Sequence, residues 1–450
     1  MIPVSLTNQL RKLSEHCFLG GIFVLPFTKA GFEILFVAAF SFWIAEKILT
    51  GGSFSVDRKF FILVGLFIVT SSISGFSSGY PEISFRGVIK LIKYSCLMFM
   101  VADLFVHAGS LKWLFVIELS SFGLVILDAL IQKIFGHNLI TNHPIFYSNT
   151  QIRLTGPYQS YGLLAAHIIM MAPILFMTAT SQLKRGRFLR CLGLVTLLLA
   201  ALYVLYQTQS RGSWLAAIGS ILIYGILSRN KWLLVVLVFA MLVASFILPK
   251  RILFHADLYN QEASLVERKL LWARAISVIK ARPWFGCGIG TYTKNYSKYT
   301  QGKEWLEIKE KALRGKYANF PENETWRIPG HPDQIPNHYV HNGYLQMAAE
   351  TGLISLLLFF AIVVITLING YQAFKQSEKK YQLIVGALIA GLSALLLQVF
   401  VDTTLHNLQS AVFIWFFFGL LIAVKNVRAF SLTANCSDKK LECKNIMIQN

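Results

Sequence analysis

Residues 341–352 read HNGYLQMAAETG, and the run LISLLLFFAIVVITLI that follows is long enough to enter a membrane. His341 is the chemically capable group, because imidazole titrates near neutral pH and takes a hydroxyl proton as a new bond forms. Polar groups at the mouth of a hydrocarbon span are costly, and their presence there points to function. The competing reading gives His341 and Asn342 the job of capping a helix at the water interface. Continued as a helix, the stretch aligns His341, Leu345, Ala348 and Gly352 on one face. Small residues below the histidine would let a neighbouring helix dock closely. Glu350 falls nearly opposite His341, so an intramembrane hydrogen bond is expected of it rather than partnership with that histidine.

Cations accompany this stretch. Arg211, in QTQSRGSW, falls in a very short turn between two apolar segments, on the side of His341. Arg86, Lys90 and Lys93 recur at i, i+4 and i+7, on one face of a helix entering from that side. Snorkelling to lipid headgroups accounts for such residues. So does binding of a membrane-embedded anion such as a lipid diphosphate. A metal site has to be weighed at His331, Asp333, His338 and His341, where HYVH sets two histidines three apart. No carboxylate stands at helical spacing from them, and Pro332 and Pro336 break the preceding backbone, so no metal is expected. Gly286, Gly288 and Gly290 follow Pro283 in PWFGCGIG. With no strand before them and no βαβ unit around them, they form a tight turn rather than a dinucleotide fingerprint.

The element that must hold these groups is a membrane domain. Of 450 residues, 55% are hydrophobic and only 14% charged, with mean hydropathy +0.55. A soluble domain carries charge at about a quarter of its positions. Twelve stretches are expected to cross ~30 Å of hydrocarbon as helices. They are 16–28, 30–49, 59–76, 87–106, 113–133, 158–180, 189–206, 212–227, 231–248, 343–368, 382–403 and 408–425. The fold class is therefore all-α and polytopic. Nine spans are expected over 1–248, a large polar loop over 249–340, three spans over 341–426 headed by His341, and a tail over 427–450. The first stretch follows Arg11 and Lys12 without a small-residue cleavage site and is read as a retained helix.

Trp272, Trp284, Trp305 and Trp326 argue that the large loop is ordered. Within it, Leu271, Ala275 and Val278 recur at helical spacing, predicting an interfacial helix that Pro283 ends. Lys184, Arg185, Arg187 and Arg190, then Arg229 and Lys231, then Lys375, Lys379 and Lys380 occupy three short loops. Twelve spans put these loops on one side with both termini and with Lys439, Lys440 and Lys444 of the tail. The positive-inside rule makes that side cytoplasmic and leaves the large loop and His341 outside. Much of the net charge of +20 is thus topological, and no nucleic-acid-binding motif accompanies it. Only Cys287 of the six cysteines lies in the outer loop, so no disulfide framework is available there, and no CxxC zinc pair occurs.

These residues resemble the O-antigen ligase and O-antigen polymerase superfamily of bacterial inner-membrane glycan enzymes. The ligase signature is His, then Asn, Ser or Gln, nine residues, and GxxG. Here His341-Asn342 leads to Gly352-Leu353-Ile354-Ser355, with Ser in place of the last Gly. The QSRG turn with Arg211 and the RxxxW…PxxGxGxG stretch with Arg268, Trp272, Pro283 and the three glycines are similar to the family's other recurring pieces. Asp402, in the last outer turn, is a weaker match.

The resemblance implies a GT-C-like membrane enzyme that transfers a glycan from undecaprenyl diphosphate to lipid A-core, without nucleotide, cofactor or metal. It implies a bacterial inner membrane with the site facing the periplasm. His341 would be the general base. Arg211 and Arg268 would hold the diphosphate, a task suited to a rigid bidentate guanidinium. Arg86, Lys90 and Asn342 join the expected substrate-binding set, with Glu350, Gly352 and Asp402 as supporting residues. O-antigen polymerase and protein O-oligosaccharyltransferase would use the same base and diphosphate site, so the motifs leave all three open. A transporter lined with buried cations is the alternative of another class, although the sequence lacks the repeated halves typical of one.

Overall fold

The computed structural model describes residues 4–52, 56–76, 78–148, 151–230, 258–299 and 339–427. Its helices are α1 (Val4–Val24), α2 (Lys29–Thr50), α3 (Arg58–Phe76), α4 (Pro81–Leu104), α5 (Ala108–Phe135), α6 (Tyr161–Lys184), α7 (Phe188–Gln207), α8 (Arg211–Ser228), α9 (Leu258–Ala281), α10 (Gly343–Gln376), α11 (Lys379–Val399) and α12 (Leu408–Asn426). One antiparallel hairpin, β1 (Phe146–Ser148) with β2 (Gln151–Arg153), lies between α5 and α6. The protein is an all-α polytopic membrane protein with this small β addition. Eleven of the twelve expected spans fall on described helices; 231–248 lies outside the described residues.

Eight of these helices are long and apolar enough to cross a membrane on that criterion alone. α1, α2 and α4 carry too many charges to meet it, yet they pack into the same bundle. Two of the charges of α1 and α2 are spent internally at the end away from His341: Asp103 accepts from Trp43 Nε1 at 3.0 Å and pairs with Lys47 at 2.7 Å and Arg11 at 3.6 Å. α1 also starts twelve residues earlier than hydropathy suggests, because its first three turns are polar helix.

α12 is apolar on every side, and every residue from Gln409 to Val424 is buried. A helix of that pattern belongs at the centre of a bundle. α6 is its counterpart, buried along most of its length even around Pro173. The outer helices instead show bare apolar rows, such as Phe188, Leu189 and Leu199 on α7 and Leu215 on α8, as a lipid-facing surface requires.

Sequence signals set the helix ends. Pro81 opens α4 at its first turn, and Gly51 and Gly136 close α2 and α5 in the left-handed conformation. Close packing then brings three helix starts to one place. A Cβ added at Gly162 would lie 2.5 Å from Asp402 Oδ2, at Gly212 2.3 Å from Val401 Cγ2, and at Gly343 2.7 Å from Val399 Cγ1. The N-terminal ends of α6, α8 and α10 thus converge on the C-terminal end of α11 and the turn after it. Lys184, Arg185 and Arg187 sit at the opposite end of the bundle, where α6 turns into α7.

Candidate active site

Where those ends meet, a cavity of about 270 Å³ is lined by Ser160, Leu163, Tyr339, His341, Asp402, Thr403, Thr404, His406 and Asn407. Small-molecule sites begin at roughly this size, ~300 Å³. The starts of α6, α10 and α12 contribute to its lining, and that of α8 lies nearby against Val401, each carrying the partial positive charge of unpaired backbone amides. Three of the starts are capped by a side chain: Ser160 Oγ accepts from Gly162 N, Asn342 Oδ1 from Tyr344 N and Leu345 N, and Asn407 Oδ1 from Gln409 N. α8 differs. Ser210 makes no capping bond and pairs its hydroxyl with Ser213 at 2.7 Å, leaving the start of α8 with the exposed Arg211 beside it.

His341 stands just outside α10, not on its first turn. Its φ is +52°, a left-handed backbone that histidine tolerates better than most residues and that recurs at functional sites. Asn342 alone caps the helix, which settles the competing reading in half: one of the pair caps, and it is not the histidine. The expected alignment of His341 with Leu345, Ala348 and Gly352 fails for the same reason, since the helical turn begins only at Gly343. His341 Nδ1 instead faces Asp402 Oδ1 at 3.8 Å, with both side chains about a third exposed. That spacing is longer than a tight hydrogen bond, as is common before substrate arrives.

Gly352 also departs from expectation. It was expected to ease the docking of a helix, but its φ of +83° and ψ of 171° break α10 outright. The break admits the backbone of the loop after α9. Leu353 N donates to Pro283 O at 2.8 Å, Cys287 N to Ala349 O and Gly288 N to Glu350 O, both at 2.9 Å. A Cβ at Gly352 would sit 2.0 Å from Trp284 O, and one at Gly286 2.4 Å from Glu350 O. Gly286, Gly288 and Gly290 all have positive φ, so the expected tight turn is present and is clamped into the broken helix. Ser355, in place of the signature's last Gly, is buried and donates to Thr70 Oγ1 on α3 at 3.0 Å.

Glu350 is buried and hydrogen-bonded, as expected. It accepts from Gly290 N at 2.8 Å, Tyr292 N at 3.3 Å and Gln346 Nε2 at 3.1 Å. It also lies 3.8 Å from His406 Nδ1, so a second imidazole–carboxylate pair borders the cavity. The sequence reading missed His406. Its only signal was its place in the short outer turn after Asp402.

α9 packs antiparallel on the first part of α10, with Ala275 and Val278 buried against Val340 and Ala349. Leu271, Ala275 and Val278 form its buried row, as their spacing predicts. Arg268 is half-buried near the middle of α9, about two turns before Ala275, and like Arg211 it is not among the residues lining the cavity. Arg86 and Lys90 are exposed on α4 and do not line the cavity, while Lys93 is paired with Glu33. His331, Asp333, His338, Trp305 and Trp326 lie outside the described residues.

Residues 194–360 match the family described as O-antigen ligase. That range takes in Arg211, Arg268, His341, Asn342, Glu350 and Gly352, and it supports the resemblance carried by their motifs. No curated protein matches the chain.

Proposed function

We propose that this membrane protein, with an O-antigen ligase region over residues 194–360, transfers O-antigen glycan from undecaprenyl diphosphate to lipid A-core. The observation that carries the reading is the His341–Asp402 pair, held by a strained backbone in a cavity onto which helix N-termini converge. In the proposed step, His341 takes the proton of an acceptor hydroxyl whose oxygen bonds the anomeric carbon. The bond from that carbon to the diphosphate oxygen breaks, and the electron pair leaves with the diphosphate. Asp402 orients the imidazole and balances the charge it gains. Arg211 at the uncapped start of α8, together with Arg268, stabilises the departing diphosphate. Asn342 serves as the cap that fixes His341, and Arg86 and Lys90 bind lipid headgroups or the donor's lipid end on the flank of the bundle.

The base activates the hydroxyl directly, and the proposed step assigns no role to a metal. The cavity opens away from the basic Lys184–Arg187 turn, which supports a periplasm-facing site and cytoplasmic termini. The test is reconstitution of purified protein with undecaprenyl-diphosphate O-antigen and three acceptors in parallel: lipid A-core, a second undecaprenyl-diphosphate glycan, and a Ser/Thr peptide. Transfer to lipid A-core supports the ligase. Transfer only to the second glycan assigns a polymerase, transfer only to the peptide assigns a protein O-oligosaccharyltransferase, and none overturns the glycosyl-transfer reading.

A further inference from the structure

Among the described residues two imidazoles line the cavity, and the reaction above uses one. We propose that His406 is a further catalytic residue: it donates its Nε2 proton to the diphosphate oxygen as that group leaves, opposite His341, which accepts the acceptor's proton. This inference rests on the glycosyl-transfer reading.

Three observations carry it. First, His406 lines the same cavity as His341, and its Nδ1 is turned to Glu350 at 3.8 Å. With Nδ1 turned to the carboxylate, Nε2 is the ring nitrogen left to meet a ligand in the cavity that His406 lines. Second, the two carboxylates differ. Asp402 is 30% exposed beside His341 and accepts one backbone amide, from Thr403, whereas Glu350 is only 2% exposed and is bound by the Gly290 and Tyr292 amides. The His406 wall therefore presents less exposed negative charge to a diphosphate than the Asp402 wall does. Third, the ring of Tyr339 stacks on His406, with centroids 5.7 Å apart and planes at 24°, which restrains the plane of the imidazole.

Protons and electrons balance. The acceptor hydroxyl gives its proton to His341, the broken bond's electron pair goes to the diphosphate oxygen, and His406 gives that oxygen a proton. Both rings are partly exposed and return to their starting states by exchange with water. Among the described residues the titratable groups facing His406 are Glu350 from α10, Tyr339 from the segment before it, and Asp402 and His341 on the same cavity.

The experiment compares wild type, His406→Ala, His406→Gln and His341→Ala in proteoliposomes with undecaprenyl-diphosphate glycan and lipid A-core, reading kcat, both KM values and the pH profile. A lost proton donor costs about 10²–10⁴ in rate. The expected result is a fall in kcat of at least ~10²-fold in His406→Ala with acceptor KM unchanged. His406→Gln, which keeps an N–H near the Nε2 position, should recover part of it, and the alkaline limb of the wild-type bell should vanish in both variants. A merely structural His406 would not move that limb. Wild-type kcat in His406→Ala, or an intact alkaline limb in a slowed His406→Gln, overturns the proposal even while an inactive His341→Ala upholds the base. An active His341→Ala instead overturns the underlying reading.

Discussion

Gly352→Ala should undock the glycine loop from α10. At φ +83° and ψ 171° the backbone is in a region nearly reserved for glycine, where a side chain costs about 1–3 kcal/mol. The added methyl would also meet Trp284 O at 2.0 Å and Phe285 N at 2.5 Å. Both are backbone atoms that no rotamer change moves, so the loop itself must shift. Three hydrogen bonds cross this junction, Leu353 N to Pro283 O, Cys287 N to Ala349 O and Gly288 N to Glu350 O, each worth about 0.5–1.5 kcal/mol net. The low ends of these ranges together give about 2.5 kcal/mol, a factor of roughly 60 in the docked-to-undocked ratio. Amide hydrogen exchange reads it directly: the peptide covering 284–290 should exchange tens of times faster in Gly352→Ala than in wild type. Transfer should fall with it, because Glu350 holds both Gly290 and the neighbourhood of His406. Unchanged exchange across 284–290 would refute the reasoning.

Ser355→Gly removes only the bond to Thr70 and restores the signature glycine, so activity should persist with a stability loss of about 1 kcal/mol, measured by thermal unfolding in detergent. Burial, with the Glu350 charge adding to it, pushes the Cys287 thiol up to about 12. Thiolate is the reactive form, so at pH 8 a maleimide should leave Cys287 unmodified in the folded protein and label it after denaturation, as mass spectrometry of its peptide would report. Arg211→Ala should raise the donor KM and lower kcat, and Arg211→Lys should recover little, since an ammonium lacks the planar fork. Full transfer activity after exhaustive chelation is expected, and loss restored by a divalent cation would contradict the metal-free step.

The membrane fold was legible because hydrocarbon imposes long apolar runs, and α3, α7, α8 and α12 end within about two residues of where hydropathy puts them. Hydropathy was blind to the polar first turns of α1 and to the start of α4, which Pro81 signals by another rule. The pairing of His341 with Asp402 joins residues on different elements, and no local pattern announces it. Gly352 misled for the opposite reason. Helical periodicity runs smoothly through it, and only the incoming Trp284 carbonyl explains the break. His406 escaped because its meaning depends on Glu350, which the sequence places far away and the fold places at 3.8 Å.

His341→Asn is the most direct test of the central claim. Asparagine accepts a left-handed backbone at least as readily as histidine, so the substitution keeps the φ of +52° and leaves the Asn342 cap untouched. Transfer of O-antigen from undecaprenyl diphosphate to lipid A-core should fall by about 10²–10⁴ while thermal stability and donor binding stay at wild-type levels. A stable His341→Asn protein that transfers at near-normal rate would contradict the assignment of His341 as the base.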